Sequence, residues 1–296
     1  MKYTLYFGAL CCLSLTLLVG CDLVERPRDQ KPSAALQKFL KVGREELLQD
    51  KAPYPLQAKQ IGKTLWIYLP LEDSLFEMSS DPFGPQKSKQ AEEKINLAFI
   101  DADMRNGDFF IEYDTQKTRQ YKISNGYRPD YGESYQKFQR DIMGTLKEVF
   151  LDADNQKDDP LPDFIVMVFA DVKRGIEIEN IFAYTDFKKT MSVSGELPLD
   201  EWMKRVVSDI RGDSGIISDI NGRHLPWNEL TWPEFLGKQI KNRVNFKYQR
   251  SDFPPSENAS QEIGRVVKET IAAYDFKNYV EIRLKNLATG QEFTVK

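Results

Sequence analysis

The sequence predicts an α+β fold in which repeated helix–strand–turn–strand units form antiparallel sheets covered by helices. Three segments rich in β-branched and aromatic residues, "DFFIEY", "DFIVMVF" and "YDFKNYVEIRL", are each followed by a turn and a second candidate strand. Amphipathic helical patterns stand between them, and runs of helix followed by hairpin are typical of α+β proteins. With 41% hydrophobic and 29% charged residues among 296, the chain has the composition of a globular protein.

The first twenty residues differ from the rest. Lys2 is their only charge, and residues 5–20 hold no charged side chain. A basic start followed by a short apolar stretch indicates an export signal, and this stretch is shorter than the 18 or so residues of a membrane span. We therefore assign residues 1–20 to a signal peptide.

The apolar run ends on Leu18-Val19-Gly20-Cys21. This resembles the lipobox of bacterial lipoproteins, and the resemblance covers the first 21 residues. It implies cleavage before Cys21, acylation of that residue and attachment to a lipid bilayer. The alternative is an ordinary secretory signal with a chance cysteine. An acid after the acylated cysteine, here Asp22, resembles the enterobacterial signal for retention at the inner membrane, which implies a body facing the periplasm. Without such sorting, Asp22 is the first polar residue of a tether.

Cysteine usage and charge restrict the chemistry of the mature chain. Cys11 and Cys12 leave with the signal and Cys21 carries lipid, so thiol catalysis and cysteine zinc sites are excluded. The formal charge of −4 becomes −5 once Lys2 is removed, which gives no electrostatic footprint for nucleic acid.

The mature chain divides into a tether and a body. Residues 21–33, polar and containing two prolines, are the lipidated cysteine and a flexible tether. Residues 34–296 are the α+β body, with 34–190 and 191–296 as a finer division. The body opens with a helix through Leu36, Phe39, Leu40 and Leu47, followed by an alternating strand, "TLWIYLPL".

The repeated units follow. "FIDAD" at 99–103 and "FLDAD" at 150–154 each come after a helical pattern and before a strand, and a looser third copy begins with a helix around Ile263–Tyr274. The second strands lie near "RQYKIS", "IEIENIFAY" and "QEFTV". Before the last unit comes a helical insert, predicted as one helix over Leu199–Ile210 and another starting near Thr231. In element order alone, the unit resembles the β-α-α-β-β modules of outer-membrane assembly proteins.

The acidic segment that begins within "FLDAD" is a candidate calcium site. Asp152, Asp154, Gln156, Asp158 and Asp163 occupy positions 1, 3, 5, 7 and 12 of a loop, which resembles the ligand spacing of an EF-hand. Lys157 stands where that loop has glycine. The alternative interpretation is a solvated turn between a helix and a strand. Calcium is the one cofactor that the sequence suggests.

Catalytic motifs give no consistent set. His224 is the single histidine, and it lies ten residues after Ser214 of "GDSG", whereas in trypsin-like proteases the histidine precedes the serine. Paired carboxylates remain open as hydrolytic machinery, because acids are numerous and sequence does not fix their separation.

Trp227 and Trp232 form a candidate binding surface, since tryptophans in a loop between prolines often anchor partners. The alternative is that they fill the gap between the insert and the sheet. Together these observations predict a lipid-anchored extracytoplasmic protein with a non-enzymatic binding or structural role toward an envelope protein or polymer. The alternatives are a carboxylate-dependent envelope hydrolase and a calcium-stabilised adhesion or assembly module.

Overall fold

Two strands with every position buried lie side by side at the centre of the molecule. They are Thr64–Leu71 and Phe164–Asp171, and they pair in parallel from Thr64↔Phe164 to Leu71↔Asp171. A strand covered on both faces needs apolar side chains at successive positions, which "TLWIYLPL" and "FIVMVFAD" supply. Both strands are therefore buried along their whole length.

The computed structural model describes residues 33–43, 54–78, 92–120, 129–151, 161–192, 195–249 and 259–295. All of them belong to one compact unit, Pro32–Lys296. The helices are α1 (Ala34–Val42), α2 (Glu133–Phe150), α3 (Tyr184–Met191), α4 (Leu199–Arg205), α5 (Trp232–Gln249) and α6 (Ala259–Ala273). The strands are β1 (Gln57–Ile61), β2 (Thr64–Leu71), β3 (Phe76–Met78), β4 (Glu92–Arg105), β5 (Asp108–Gln120), β6 (Pro129–Tyr131), β7 (Phe164–Asp171), β8 (Ile176–Ala183), β9 (Val207–Gly212), β10 (Ile282–Asn286) and β11 (Glu292–Val295).

The first sheet has the strand order β1-β2-β7-β8-β9. Among its described strands, β2 and β7 pair in parallel and the other three neighbouring pairs are antiparallel. One face packs against helices α1 to α4 in a core that includes Phe39, Phe138 and Phe169. The other face is covered by the first turn of α5 and by the loop 213–231, which we call the strap, around Phe164 and Phe235. This sheet is therefore sandwiched between two apolar layers.

The second sheet has the order β11-β10-β5-β4, and β5–β10 is its parallel pair. Its inner face forms a core in which Phe109, Ile111 and Tyr113 pack against α5 and α6, while Phe110 and Glu112 between them lie on the outer, partly solvated face. A short third sheet pairs β3 with β6. The predicted α+β class is confirmed, with the addition that each main sheet contains one parallel pair.

The first repeated unit differs from the prediction. Residues before and through "FIDAD" form the long strand β4, not a helix, and β4 joins β5 through a two-residue turn at Asn106-Gly107. Both turn residues have positive φ, 52° and 89°, as a type I′ hairpin requires. The Asn-Gly pair specifies this turn, and the 14-residue strand follows from it. "DFFIEY" runs on through Arg119 and Gln120 as one strand, so the first unit's two predicted strands are the single strand β5 within the described residues.

The helical insert is also corrected. Helix α4 ends at Arg205, and residues from Val207 form the edge strand β9, because Val206 and Val207 favour extended backbone and β8 offers hydrogen bonds. The second helix of the insert is confirmed as α5. Thr231 caps it in a reciprocal capping box with Glu234, whose carboxylate accepts from the Thr231 N–H at 2.8 Å.

The second unit matches the prediction, whereas in the third most of the predicted strand "YDFKNYVEIRL" is not strand, because β10 begins only at Ile282. Helix α2 precedes β7 and β8, and helix α6 precedes β10 and β11. Strand β10, from the last unit, pairs with β5 from the first, so the second sheet draws on both of the finer divisions 34–190 and 191–296.

Candidate functional site

The predicted anchor lies outside the described residues, which begin at Ser33; this holds for both Cys21 and Asp22. Ser33 is the N-cap of α1, and its Oγ accepts a hydrogen bond from the Leu36 N–H at 3.1 Å. In the described part of the chain, no helix combines the length and the apolar character needed to cross a membrane.

The predicted calcium loop is also largely outside the described residues: Asp152, Asp154, Gln156 and Asp158 all fall there. Asp163, its last member, lies just before β7, and its backbone N–H donates to the Lys63 carbonyl at 2.7 Å. Among the described residues no group of three or more acidic, histidine or cysteine side chains is arranged to hold a metal. The calcium site stays a prediction.

Asp101 of "FIDAD" and the nearby Asp108 both take part in ion pairs. Asp101 contacts Lys241 of α5 at 2.9 Å, and the hydrogen bond from that lysine lowers the pKa of the Asp101 carboxyl. Asp108 contacts Arg283 of β10 at 3.0 Å. These carboxylates tie the hairpin β4–β5 to its neighbours on the sheet and on α5.

His224 belongs to a closed polar centre between the strap and the first sheet. Its Nε2 lies 2.8 Å from Glu177 Oε2, and the two side chains are only 8% and 2% exposed. The other oxygen of Glu177 contacts Arg211 Nη2 at 3.1 Å. The ring of Tyr68 meets the imidazole edge-on at 5.9 Å. His224 comes from the strap and Glu177 from β8, so their buried contact joins the strap to the first sheet.

Other hydrogen bonds fix the strap along its length. The Tyr68 hydroxyl donates to the Asp219 carbonyl at 2.8 Å, and Trp66 Nε1 donates to the Asn228 carbonyl at 2.7 Å. Burial raises the pKa of the Tyr68 hydroxyl well above its usual range, so it remains a donor. The strap is therefore a fixed layer of the fold.

Trp227 belongs to the strap, and Trp232, the first residue of α5, follows directly after it. Trp227 stacks obliquely on Trp66 at 5.8 Å, donates its Nε1–H to the Gly222 carbonyl at 2.7 Å, and receives Lys59 over its ring. Trp232 packs on Phe164 at 4.8 Å. Both indoles are part of the packing on the first sheet and remain partly exposed.

The described structure offers a more open site elsewhere, a groove of about 770 Å³ between α4, α5 and α6. Its apolar lining includes Met203 and Phe246, which are 65% and 58% exposed, together with Val266. Leu199, one helical turn before Met203, extends the same apolar side of α4 and is also exposed. Two large, exposed apolar side chains, Met203 and Phe246, thus line one concave surface.

The rim of the groove carries charges of both signs. Glu201 is its centre, with Arg205 Nε and Arg243 Nη2 each at 3.2 Å. Although burial raises the pKa of Glu201, the hydrogen bond from Arg205 and the charge of Arg243 bring it below its usual value. Lys247 contacts Glu262, and Arg265 contacts Glu269 at 2.5 Å. Most rim charges are paired within the protein, so the apolar floor is the distinctive surface.

Arg205 holds the walls of the groove in place. It contacts the buried Asp186 of α3 at 3.0 Å, its backbone carbonyl accepts from Gln239 of α5, and its guanidinium lies over the Tyr274 ring. One residue therefore joins α3, α4, α5 and the end of α6. The groove is preformed, as ligand sites usually are.

The groove was not predicted, because residues 199–210 were expected to form one continuous helix, whereas α4 ends at Arg205. The signal that could have located it was the pair of β-branched residues at 206–207, which ends the helix. No family model, no curated protein and no solved structure matches this chain.

Proposed function

We propose that this chain is a lipid-anchored extracytoplasmic protein that binds, without catalysis, a polypeptide segment of another cell-envelope protein. The lipobox at Leu18–Cys21 carries the first part of the proposal. With two or more acyl chains on Cys21, each buried CH₂ contributes roughly 0.8 kcal/mol and attachment is stable. Asp22 favours the inner membrane where enterobacterial sorting operates.

The groove between α4, α5 and α6 carries the second part. Its exposed Met203 and Phe246 favour an apolar side chain from the partner, and the charges of both signs on its rim favour a peptide over a uniformly charged polymer. Methionine adapts to varied apolar shapes, which suits a recognition surface.

The anchor is tested by Cys21→Ala in cells fed a labelled fatty acid, with Cys11→Ala as the matched control. We expect the first variant to accumulate as an unlabelled precursor and the second to be processed and labelled like the wild type. Normal processing and labelling of Cys21→Ala would overturn the anchor.

The groove is tested by a photo-crosslinking amino acid at position 246, with position 293 as the control, since Phe293 is an exposed aromatic on β11. We expect one discrete adduct from position 246 that is lost when Met203→Lys is added and is absent from position 293. The same adduct from both positions, or its survival in the Met203→Lys background, would contradict binding in the groove.

A further inference from the structure

Strand β9 leaves the outer edge of the first sheet open. Five of its six residues, Ser208–Gly212, are exposed. The Asp213 N–H donates to the Gly175 carbonyl at 2.8 Å, which sets the alternation of the β8–β9 ladder. The N–H and C=O groups of Ser208, Ile210 and Gly212 then point away from β8. Within the described residues no hydrogen bond reaches these outward groups.

We propose that β9 pairs antiparallel with β9 of a second copy of this chain, about a two-fold axis at Ile210. The two five-stranded sheets then form one continuous sheet. A two-fold interface requires a self-complementary surface, because the same patch meets itself. The proposal is independent of lipid anchoring and of the groove.

The order of side chains along β9 meets that requirement. With Ile210 opposite Ile210 of the partner subunit, Asp209 stands opposite Arg211 of the partner subunit, and the reverse pair forms across the axis. These pairs fall at non-hydrogen-bonded positions of the new ladder, where facing side chains are closest. One short strand thus presents an acid, an apolar residue and a base in an order that complements itself.

The charges around β9 support a second copy of the chain as its partner. Asp209 lies opposite Glu179 in the β8–β9 register, so two acids face each other, and no cation pairs with Asp209 in the part of the chain that the structure describes. Arg211 contacts Glu177 at 3.1 Å and Glu179 at 2.9 Å, both through Nη2. Its Nη1 and Nε donors are left to meet Asp209 of the partner subunit.

Ile210, the apolar residue on the proposed axis, also supports pairing with a second copy of the chain. Ile210 is 53% exposed, and Ser208–Gly212 contains neither the proline nor the lysine with which edge strands commonly block pairing. Pairing covers this isoleucine with its own copy and uses the free backbone groups.

The first experiment is disulfide trapping of the full chain carrying Ile210→Cys, with Ile216→Cys and wild type as controls. Ile216 is 54% exposed, which matches Ile210, and lies in the strap. Directly paired residues of an antiparallel ladder have Cα atoms about 5.5 Å apart, within the range that a disulfide spans. We expect a disulfide-linked dimer from Ile210→Cys alone under mild oxidation. No dimer from it, or equal dimer from Ile216→Cys, would overturn the proposal.

The second experiment measures the mass of the full chain in detergent by analytical ultracentrifugation, comparing Ile210→Lys with Ile216→Lys. Two lysines on the axis repel each other, so we expect Ile210→Lys to raise the dimer dissociation constant at least about tenfold and Ile216→Lys to leave it unchanged. Far-ultraviolet circular dichroism confirms that both variants are folded. A monomeric wild type, or equal weakening by both substitutions, would contradict pairing through β9.

Discussion

The strands of the two main sheets are buried in different ways. In the first sheet β7 is buried at all eight positions, because helices cover one face and the strap with α5 covers the other. In the second sheet β5 alternates: Phe109 is fully buried, while Phe110 lies on the outer face between the guanidiniums of Arg105 and Arg283. Burial follows from this coverage: it is continuous along β7 and alternates along β5 from Asp108 to Tyr113.

The two sheets therefore obtain their stability from different sources. The first sheet depends on two apolar layers, one of which is a loop fixed by hydrogen bonds. The second depends on one apolar layer and on ion pairs across an open face, such as Lys285 with Glu112 at 3.3 Å. Exposed ion pairs of this kind contribute little to the free energy of unfolding. Packing at the inner face therefore supplies most of the stability of the second sheet.

Replacing phenylalanines by alanine should change the free energy of unfolding most, and it tests on which faces each sheet is covered. Phe164→Ala and Phe169→Ala, on opposite faces of the first sheet, should each lower the free energy of unfolding by about 3–5 kcal/mol. Phe109→Ala should do the same in the second sheet, whereas Phe110→Ala should cost only about 1 kcal/mol of cation–π contact and partial burial. Urea denaturation measures all four. Equal costs for Phe109 and Phe110 would mean that the outer face is covered.

Helix packing against the two sheets gives the next effect. A Cβ added at Gly237 of α5 would overlap the Ala102 carbonyl of β4, whereas at Gly144 of α2 it would meet open space. Gly237→Ala should therefore lose about 3 kcal/mol, because backbone must move. Gly144→Ala should gain up to about 1 kcal/mol from helix propensity. Thermal unfolding of the pair checks this, and a neutral Gly237→Ala would refute the close approach of α5 to the second sheet.

The strap comes third. His224→Ala removes a hydrogen bond to the buried Glu177 and should cost about 2 kcal/mol. Limited proteolysis should cut the variant within 213–231 at least several-fold faster than the wild type. Arg223→Ala is the control, since the exposed Arg223 guanidinium lies 4.0 Å from Asp219 and the variant keeps the backbone N–H that donates to the same carboxylate at 2.9 Å. If both variants were cut at the same rate, His224 would not fasten the strap.

Much of the fold could be predicted because local pattern and tertiary role agree. The β-branched and aromatic content of "TLWIYLPL" and the apolar stripe of α2 identify a strand and a helix whatever covers them. The predictions failed where pairing partners decide. Residues before "FIDAD" have a mixed pattern that α5 and β5 resolve into a strand, and the end of α4 depends on the free edge of β8.

The candidate site was less predictable than the fold for a related reason. Met203 and Phe246 lie about forty positions apart and meet only because Arg205 joins α4 to α5 and α3. No local pattern encodes that meeting. Trp227 and Trp232, by contrast, were visible in the sequence, but their contacts with Trp66 and Phe164 depend on how the strap crosses the first sheet.

The smallest expected effect concerns pH and has opposite signs in the two regions. Near the first sheet, burial raises the pKa of Asp186, although Arg205 partly opposes the shift. A raised carboxyl pKa means that the native state binds the proton more tightly than the unfolded state does. Asp186 therefore contributes less stability as the pH rises from the unfolded pKa near 4 toward the native pKa.

On α6, the hydrogen bond from Lys247 lowers the pKa of Glu262, so its contribution is present above the unfolded value and is lost as the pH falls through the native pKa. Between pH 3 and 7 (roughly the range in which carboxyls titrate), the stability of wild type relative to Asp186→Asn should fall with rising pH. Relative to Glu262→Gln it should rise, by about 0.5–1 kcal/mol because the pair is partly exposed. Urea midpoints across this range measure both differences. If both stability differences changed with pH in the same direction, the two carboxyls would share one kind of environment. The contrast between the buried Asp186 beside Arg205 and the more open surface of α6 would then be wrong.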